Sequence, residues 1–175
     1  MTITVLNAVY GTTKNGFDVT ETCQGLVNDG NDDIAVNNDT FGDPDKGNKK
    51  SFGILYKSPQ LNNGAPIALG CIEGTVLDLV PVPPTAHTSP QNPLAPTGNV
   101  TVRSAVYGTG KNGNDVTAIC QALVNQGNYT IPVNNAVLGP DPDAGPHKSF
   151  SIEYTLNGKT YAFACQEGTN LVLPV

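Results

Sequence analysis

An internal duplication constrains the fold of this chain more than any other feature of its sequence. The segment AVYGTTKNGFDVT, residues 8–20, returns as AVYGTGKNGNDVT at residues 105–117. Later segments recur in the same order and end with CIEGT from Cys71 and CQEGT from Cys165. Such self-similarity indicates one structural unit used twice. We therefore predict a first repeat domain over residues 1–80, a Pro-rich linker over 81–98 and a second repeat domain over 99–175.

The apolar pattern of each repeat predicts a β-rich unit. In the first repeat, residues 3–9 and 51–56 are rich in β-branched or alternating apolar residues, which is typical of strands. Apolar residues recur at helical spacing over 19–27, with Asp18 as a suitable N-cap, and 10–17 is predicted to be a loop. The predicted fold class is mainly β, with two tandem small β-sandwich or barrel-like domains that each contain one short α-helix.

Charge and composition exclude several classes of partner. The formal net charge is −6, whereas nucleic acids and anionic membranes select basic patches. No apolar run approaches the roughly 18 residues of a membrane span. The N-terminus lacks the basic and long apolar regions of a secretory signal, so the expected location is cytoplasmic or non-classically secreted.

The four cysteines follow the duplication, with one near the start and one near the end of each repeat. The simplest prediction is one disulfide per repeat, Cys23–Cys71 and Cys120–Cys165, because closing loops of that length stabilises the folded state. The alternative is two buried free thiols per repeat, as expected in a reducing compartment.

The repeated Tyr-Gly-Thr-x-Lys-Asn-Gly segment predicts a sugar-binding loop. A tyrosine ring can stack on the apolar face of a sugar, and neighbouring amide and hydroxyl groups can bond to its hydroxyls. The alternative is a tyrosine packed into the core beside a solvated turn. The predicted ligand-binding residues are Tyr10, Thr12, Lys14 and Asn15 in the first repeat and Tyr107, Thr109, Lys111 and Asn112 in the second.

A second loop, rich in Asp, Asn, Gly and Pro, suggests calcium. Hard oxygen ligands on a flexible loop suit this ion, although no cofactor is required by the pattern. The alternative is a Pro-Asp turn in which the acidic side chains bond nearby backbone N–H groups. The candidate metal ligands are Asn37, Asp43, Asp45, Asn134, Asp141 and Asp143.

Taken in order, the motifs Ala-x-Tyr-Gly, Asp-Val-Thr, Asp-Pro, Lys-x-Phe and Glu-Gly resemble a small domain of uncharacterised function. That domain occurs in the C-terminal region of a mitochondrial J-protein family and in short fungal and bacterial proteins. The resemblance implies a β-rich binding module and brings no catalytic residues. The chain has no His-Pro-Asp tripeptide, so a chaperone role is not implied.

Two copies of a polar site favour a non-enzymatic, bivalent binding protein of lectin type, because paired weak sites gain avidity. Its expected partners are glycans or a protein surface. The alternative is a structural or protein-interaction module that acts as a scaffold or an inhibitor. A third hypothesis is a hydrolase that uses the repeated acids Asp18/Asp115 and Glu73/Glu167 as a pair.

Overall fold

The computed structural model describes residues 2–80 and 94–175, and both ranges contain the same elements in the same order. The first repeat comprises β1 (Thr4–Gly11), β2 (Gly16–Asp18), α1 (Thr20–Asn28), β3 (Asp33–Ala35), α2 (Asn38–Phe41), β4 (Ser51–Lys57), a 3-10 turn (Asn62–Gly64), β5 (Ile67–Ile72) and β6 (Val76–Asp78). The second comprises β7 (Val100–Gly108), β8 (Gly113–Asp115), α3 (Thr117–Asn125), β9 (Thr130–Pro132), α4 (Asn135–Leu138), β10 (Ser149–Leu156), β11 (Lys159–Gln166) and β12 (Asn170–Val172). Most of the predicted linker, residues 81–93, lies outside the described residues.

Each repeat is built on one antiparallel four-stranded sheet, with strand orders β2-β1-β4-β5 and β8-β7-β10-β11. A two-stranded ribbon, β3–β6 or β9–β12, completes each repeat. The mainly-β, sandwich-like prediction is confirmed, and the described residues form no closed barrel. Each repeat has a second, four-residue helix that the sequence analysis missed, because α2 and α4 lie in the segment interpreted as a loop.

One face of each sheet covers the core of its own repeat. In β4, the alternating side chains of Phe52, Ile54 and Tyr56 are fully buried in that core, as predicted. Helix α1 packs over β1 and ends at Asn28, and Gly30, with a φ of +86°, supplies the left-handed turn that follows it. Asp18 accepts the backbone N–H of Thr20 at 2.9 Å, although the N-cap residue itself is Val19.

The predicted loop over residues 10–17 is wrong in its extent. Strand β1 continues to Gly11, β2 begins at Gly16, and these two glycines face each other across a hairpin. Only residues 12–15 form the turn. Tyr10 therefore belongs to strand β1. Successive side chains of a strand point to opposite faces of the sheet, and the Tyr10 side chain lies on the core face, where it is completely buried.

The predicted disulfides Cys23–Cys71 and Cys120–Cys165 are also wrong. All four thiols are free and buried. Within each repeat both cysteines belong to the apolar core cluster, where a free thiol packs like a small hydrophobic side chain. Burial raises the pKa of Cys23 and of Cys71 to about 12, so both stay protonated and unreactive near neutral pH.

The other faces of the two four-stranded sheets pack against each other, and we call this contact the seam. Its apolar lining combines alanines with larger side chains, in the clusters Val9, Ala162 and Ala164 and Leu55, Ala68 and Val106. Two equivalent backbone hydrogen bonds cross it. The Gly70 N–H donates to the carbonyl of Thr109 at 2.9 Å, and the Ala164 N–H donates to the carbonyl of Thr12 at 3.1 Å. The repeats therefore form one packed body.

Glycines set how closely the sheets approach at the seam. A Cβ on Gly16 would collide with the carbonyl of Ala162, and one on Gly113 would collide with the equivalent carbonyl of Ala68. A Cβ on Gly53 would collide with the side chain of Ser151. These positions require glycine because a backbone or a packed side chain occupies the space of its missing Cβ.

A buried carboxyl group, that of Glu153, lies at one end of the seam. Glu153 is 1% exposed, accepts the Asn7 amide at 2.9 Å across the seam, and lies 3.3 Å from Arg103 Nε. Asp18 also lies within hydrogen-bonding reach of it. The residue at the equivalent position of the first repeat is Leu55, which packs in an apolar cluster. Burial is the main cause that raises the pKa of Glu153 above its usual value, and the charge of Asp18 adds to it.

Replacing Gly113 with Val should destabilise the folded chain by about 3 kcal/mol, because the added atoms overpack the seam against backbone. Gly25→Ala is the matched control. Gly25 is exposed in α1 with open space around its Cβ position, so alanine should stabilise by about 0.8 kcal/mol through helix propensity. Urea denaturation measures the free energy of unfolding of both variants and of the wild type. Equal stability of the wild type and the Gly113 variant would contradict the close packing of the seam.

Glu153→Gln should remove a pH-dependent part of the stability. Because the folded-state pKa of Glu153 is raised, the folded protein holds this proton more tightly than the unfolded chain does. Wild type should therefore lose stability relative to the variant as the pH rises from the usual glutamate pKa toward neutrality, and gain it on acidification. Urea midpoints of both proteins across pH 4–8 test this. A difference that is independent of pH, or that grows in favour of wild type as the pH rises, would contradict it.

Candidate functional site

A polar cluster forms at one end of each sheet where the repeated motifs meet. In the second repeat, the hydroxyl of the fully buried Tyr107 lies 2.7 Å from Glu167 Oε1 and 2.8 Å from Asn135 Oδ1. Burial first, and then the neighbouring Glu167, raise the pKa of Tyr107 far above its usual value. Tyr107 is therefore a permanent hydrogen-bond donor.

A buried lysine completes this cluster. The Lys148 side chain is 4% exposed, and its Nζ lies 2.9 Å from Asp141 Oδ1 and 3.5 Å from Glu167 Oε2. Burial favours neutral forms, but the two carboxylates outweigh it and raise the pKa of Lys148. Burial likewise opposes ionisation of Glu167, yet its bonds to Tyr107 and Lys148 lower its pKa. The cluster is thus a charged network in which each member has a partner.

The first repeat reproduces this cluster. The Tyr10 hydroxyl lies 2.8 Å from Asn38 Oδ1, and Lys50 Nζ lies 2.7 Å from Asp43 Oδ1. Glu73 accepts the Lys50 backbone N–H at 3.0 Å and lies 3.9 Å from Lys50 Nζ. The lysine ties the Asp-Pro loop to the end of the sheet, because breaking a buried ion pair would leave one charge without compensation.

Asp18 and Glu73, the acids of the hydrolase hypothesis in the first repeat, lie in different surroundings. Glu73 belongs to the Lys50 cluster, whereas Asp18 bonds to the first turn of α1 and lies beside Glu153. No contact between Asp18 and Glu73 occurs among the contacts of the described residues. The geometry therefore gives no support to a paired-carboxylate reaction in the first repeat.

The candidate calcium ligands bond to protein donors. Asn37 caps α2 by accepting the Thr40 N–H at 2.9 Å, and Asp45 accepts the Thr12 hydroxyl at 2.6 Å. Asp43 accepts the Asp45 N–H at 3.2 Å, which is the bonding expected of a Pro-Asp turn. Their counterparts Asn134, Asp141 and Asp143 make the equivalent bonds. Across residues 2–80 and 94–175, no three or more His, Cys, Asp or Glu side chains are grouped to hold a metal ion.

Two of the predicted sugar-binding residues cannot act as predicted. Tyr10 and Tyr107 are completely buried, so neither ring is available for stacking on a sugar. The alternative stated for this segment, a tyrosine packed into the core beside a turn, describes both repeats. The remaining predicted residues divide: Thr12, Lys14 and Thr109 line clefts at the seam, whereas Asn15, Lys111 and Asn112 do not.

The first cleft has a volume of about 450 Å³ and lies between the two repeats. The first repeat contributes the 12–14 turn and the 45–51 segment, and the second contributes the end of β11 and the turn after it. Its polar lining includes the hydroxyls of Thr13, Ser51 and Thr169 and the amides of Asn48 and Gln166.

The second cleft occupies the equivalent place with the roles of the repeats exchanged. Its volume is about 490 Å³. Here the second repeat contributes Thr109, Gly110, residues 146–149, Gln166 and Glu167, and the first contributes the end of β5 and Thr75. Neither cleft follows from the pattern of one repeat, because each needs residues from both repeats. The available signal was the alternation of Ala68 and Gly70 with core residues in β5, which indicates a second packed face.

Comparison of the chain with protein-family models, with curated proteins and with solved structures finds no match. Within the described ranges, no helix has the length and apolar character to cross a membrane.

Proposed function

We propose that this protein is a non-enzymatic carbohydrate-binding protein with two sites, the first and second clefts of the seam. The observation that carries the proposal is the pair of clefts, which have similar volumes and arise at equivalent positions of the two repeats. Both volumes fall in the range of about 300–1,000 Å³ that is typical of small-molecule sites.

The chemistry of the lining favours a polyhydroxylated ligand. Hydroxyl groups both donate and accept hydrogen bonds, and side-chain amides do the same through separate atoms. Thr13, Gln166 and Thr169 line the first cleft with such side chains, and Asn48 lines it with an amide that donates to Asp45. Sugar hydroxyls need this mixture of donors and acceptors, whereas an apolar ligand would leave these groups unsatisfied.

The fixed seam supports binding to surfaces that carry many copies of a glycan. Two sites in one packed body keep a constant separation, so the second binding event is intramolecular. Such pairing raises apparent affinity by roughly 10²–10⁴ when both sites can bind together. The carboxylates of the polar clusters form ion pairs with Lys50 and Lys148. This pairing favours a structural role for these carboxylates over a catalytic one.

A glycan array with labelled protein tests the proposal. The variant Thr169→Gln places a longer side chain in the first cleft, and Thr75→Gln does so in the second, so each variant narrows one cleft. Each single variant should lose avidity for a dense glycan surface by about 10²-fold or more, and the double variant should not bind. Thr160→Gln is the matched control, since Thr160 is exposed in β11 and lines neither cleft.

Two results would contradict the proposal. One is the absence of binding to any glycan, which would favour the protein-interaction alternative. The other is glycan binding that persists unchanged in the double variant, which would place the site elsewhere.

A further inference from the structure

We propose that the first cleft binds an acidic sugar, one that carries a carboxylate as uronic and sialic acids do, and that the second cleft lacks this preference. The inference rests on the proposed carbohydrate-binding function and specifies its ligand. It comes from the differences between two clefts that duplication first made equal.

Both clefts lack an aromatic platform among the residues that the structure describes. Neither phenylalanine nor tyrosine lines either cleft within the described residues. A neutral sugar would then depend on neutral hydrogen bonds, each worth about 0.5–1.5 kcal/mol net because water competes for the same groups. A hydrogen bond to a charged group contributes about 1.5–3 kcal/mol. A ligand with a carboxylate therefore gains most from such a site, provided that the site supplies cations.

The first cleft supplies two cations. Lys14 and Lys49 both line it, and both side chains are exposed. Asp45 is its one acidic lining residue, and its oxygens accept the Thr12 hydroxyl at 2.6 Å and the Asn48 amide at 3.0 Å. Two lysines and one aspartate leave one net positive charge in the lining.

The second cleft differs in its lysines. Lys111, the counterpart of Lys14, does not line it. Lys49 is replaced by His147, and the lysine that does line this cleft, Lys148, is buried and paired with Asp141 and Glu167. With histidine neutral, the one lysine and one glutamate of the lining sum to zero. Gln166 lines both clefts, and its counterpart in the first repeat, the apolar Ile72, lines the second cleft alone.

The net charge of −6 does not cancel this local preference. At physiological ionic strength the screening length is about 8 Å, so exposed charges farther from the cleft act weakly on a bound ligand. Lys14 and Lys49 belong to the lining of the cleft itself, so their charges are screened least. The preference should accordingly weaken when salt is added.

The test is a glycan array that presents sialylated and uronic-acid glycans beside their desialylated and carboxyl-reduced counterparts. Wild type should bind the acidic members at least about tenfold more tightly than the neutral ones, and high salt should reduce the difference. The double variant Lys14→Gln, Lys49→Gln should lose that difference but keep binding to neutral glycans through the second cleft. Lys46→Gln is the matched control, because Lys46 is exposed in the same segment but does not line the cleft.

Equal binding of acidic and neutral members by wild type would overturn this inference and leave the carbohydrate function standing. An acidic preference that survives in the double variant, or that is lost equally in the Lys46 variant, would also overturn it. Binding to no member of the array would overturn the carbohydrate function and the inference together.

Discussion

Close packing of two sheets through glycine and alanine determines the organisation of this protein. Gly16 and Gly113 sit where a Cβ would strike the backbone of the other repeat, so each hairpin can rest directly on the opposite sheet. The cross-seam bonds from Gly70 and Ala164 depend on that approach. Each sheet thus has two buried faces, one toward the helix of its own repeat and one toward its duplicate.

The clefts follow from the same constraint. Because the sheets meet face to face, the turn of one repeat lies beside the last long strand of the other, and a cleft forms at each such place. The buried ion pairs of Lys50 and Lys148 hold the Asp-rich loops that form one wall. In this account duplication supplied two equal clefts, and later substitutions such as Lys49 against His147 made them chemically different.

The sequence predicted local structure well where apolar spacing decides it. The strand of Phe52, Ile54 and Tyr56 and the helix predicted over residues 19–27 are both present, because their periodicity reflects burial within one repeat. The seam could not be predicted in this way. Its alanines and glycines are weak strand formers, and its larger residues, such as Val9 and Val106, fit a strand whichever face is buried. The tyrosines were misassigned for a related reason: Tyr10 is next to turn residues in sequence, but its ring points into the core.

Differential scanning calorimetry of the full chain tests the packed seam most directly. If the two repeats form one body, they should unfold in a single transition whose calorimetric enthalpy equals its van't Hoff enthalpy. Two transitions, or a calorimetric enthalpy near twice the van't Hoff value, would show that the repeats unfold independently. That result would contradict the seam and, with it, both clefts.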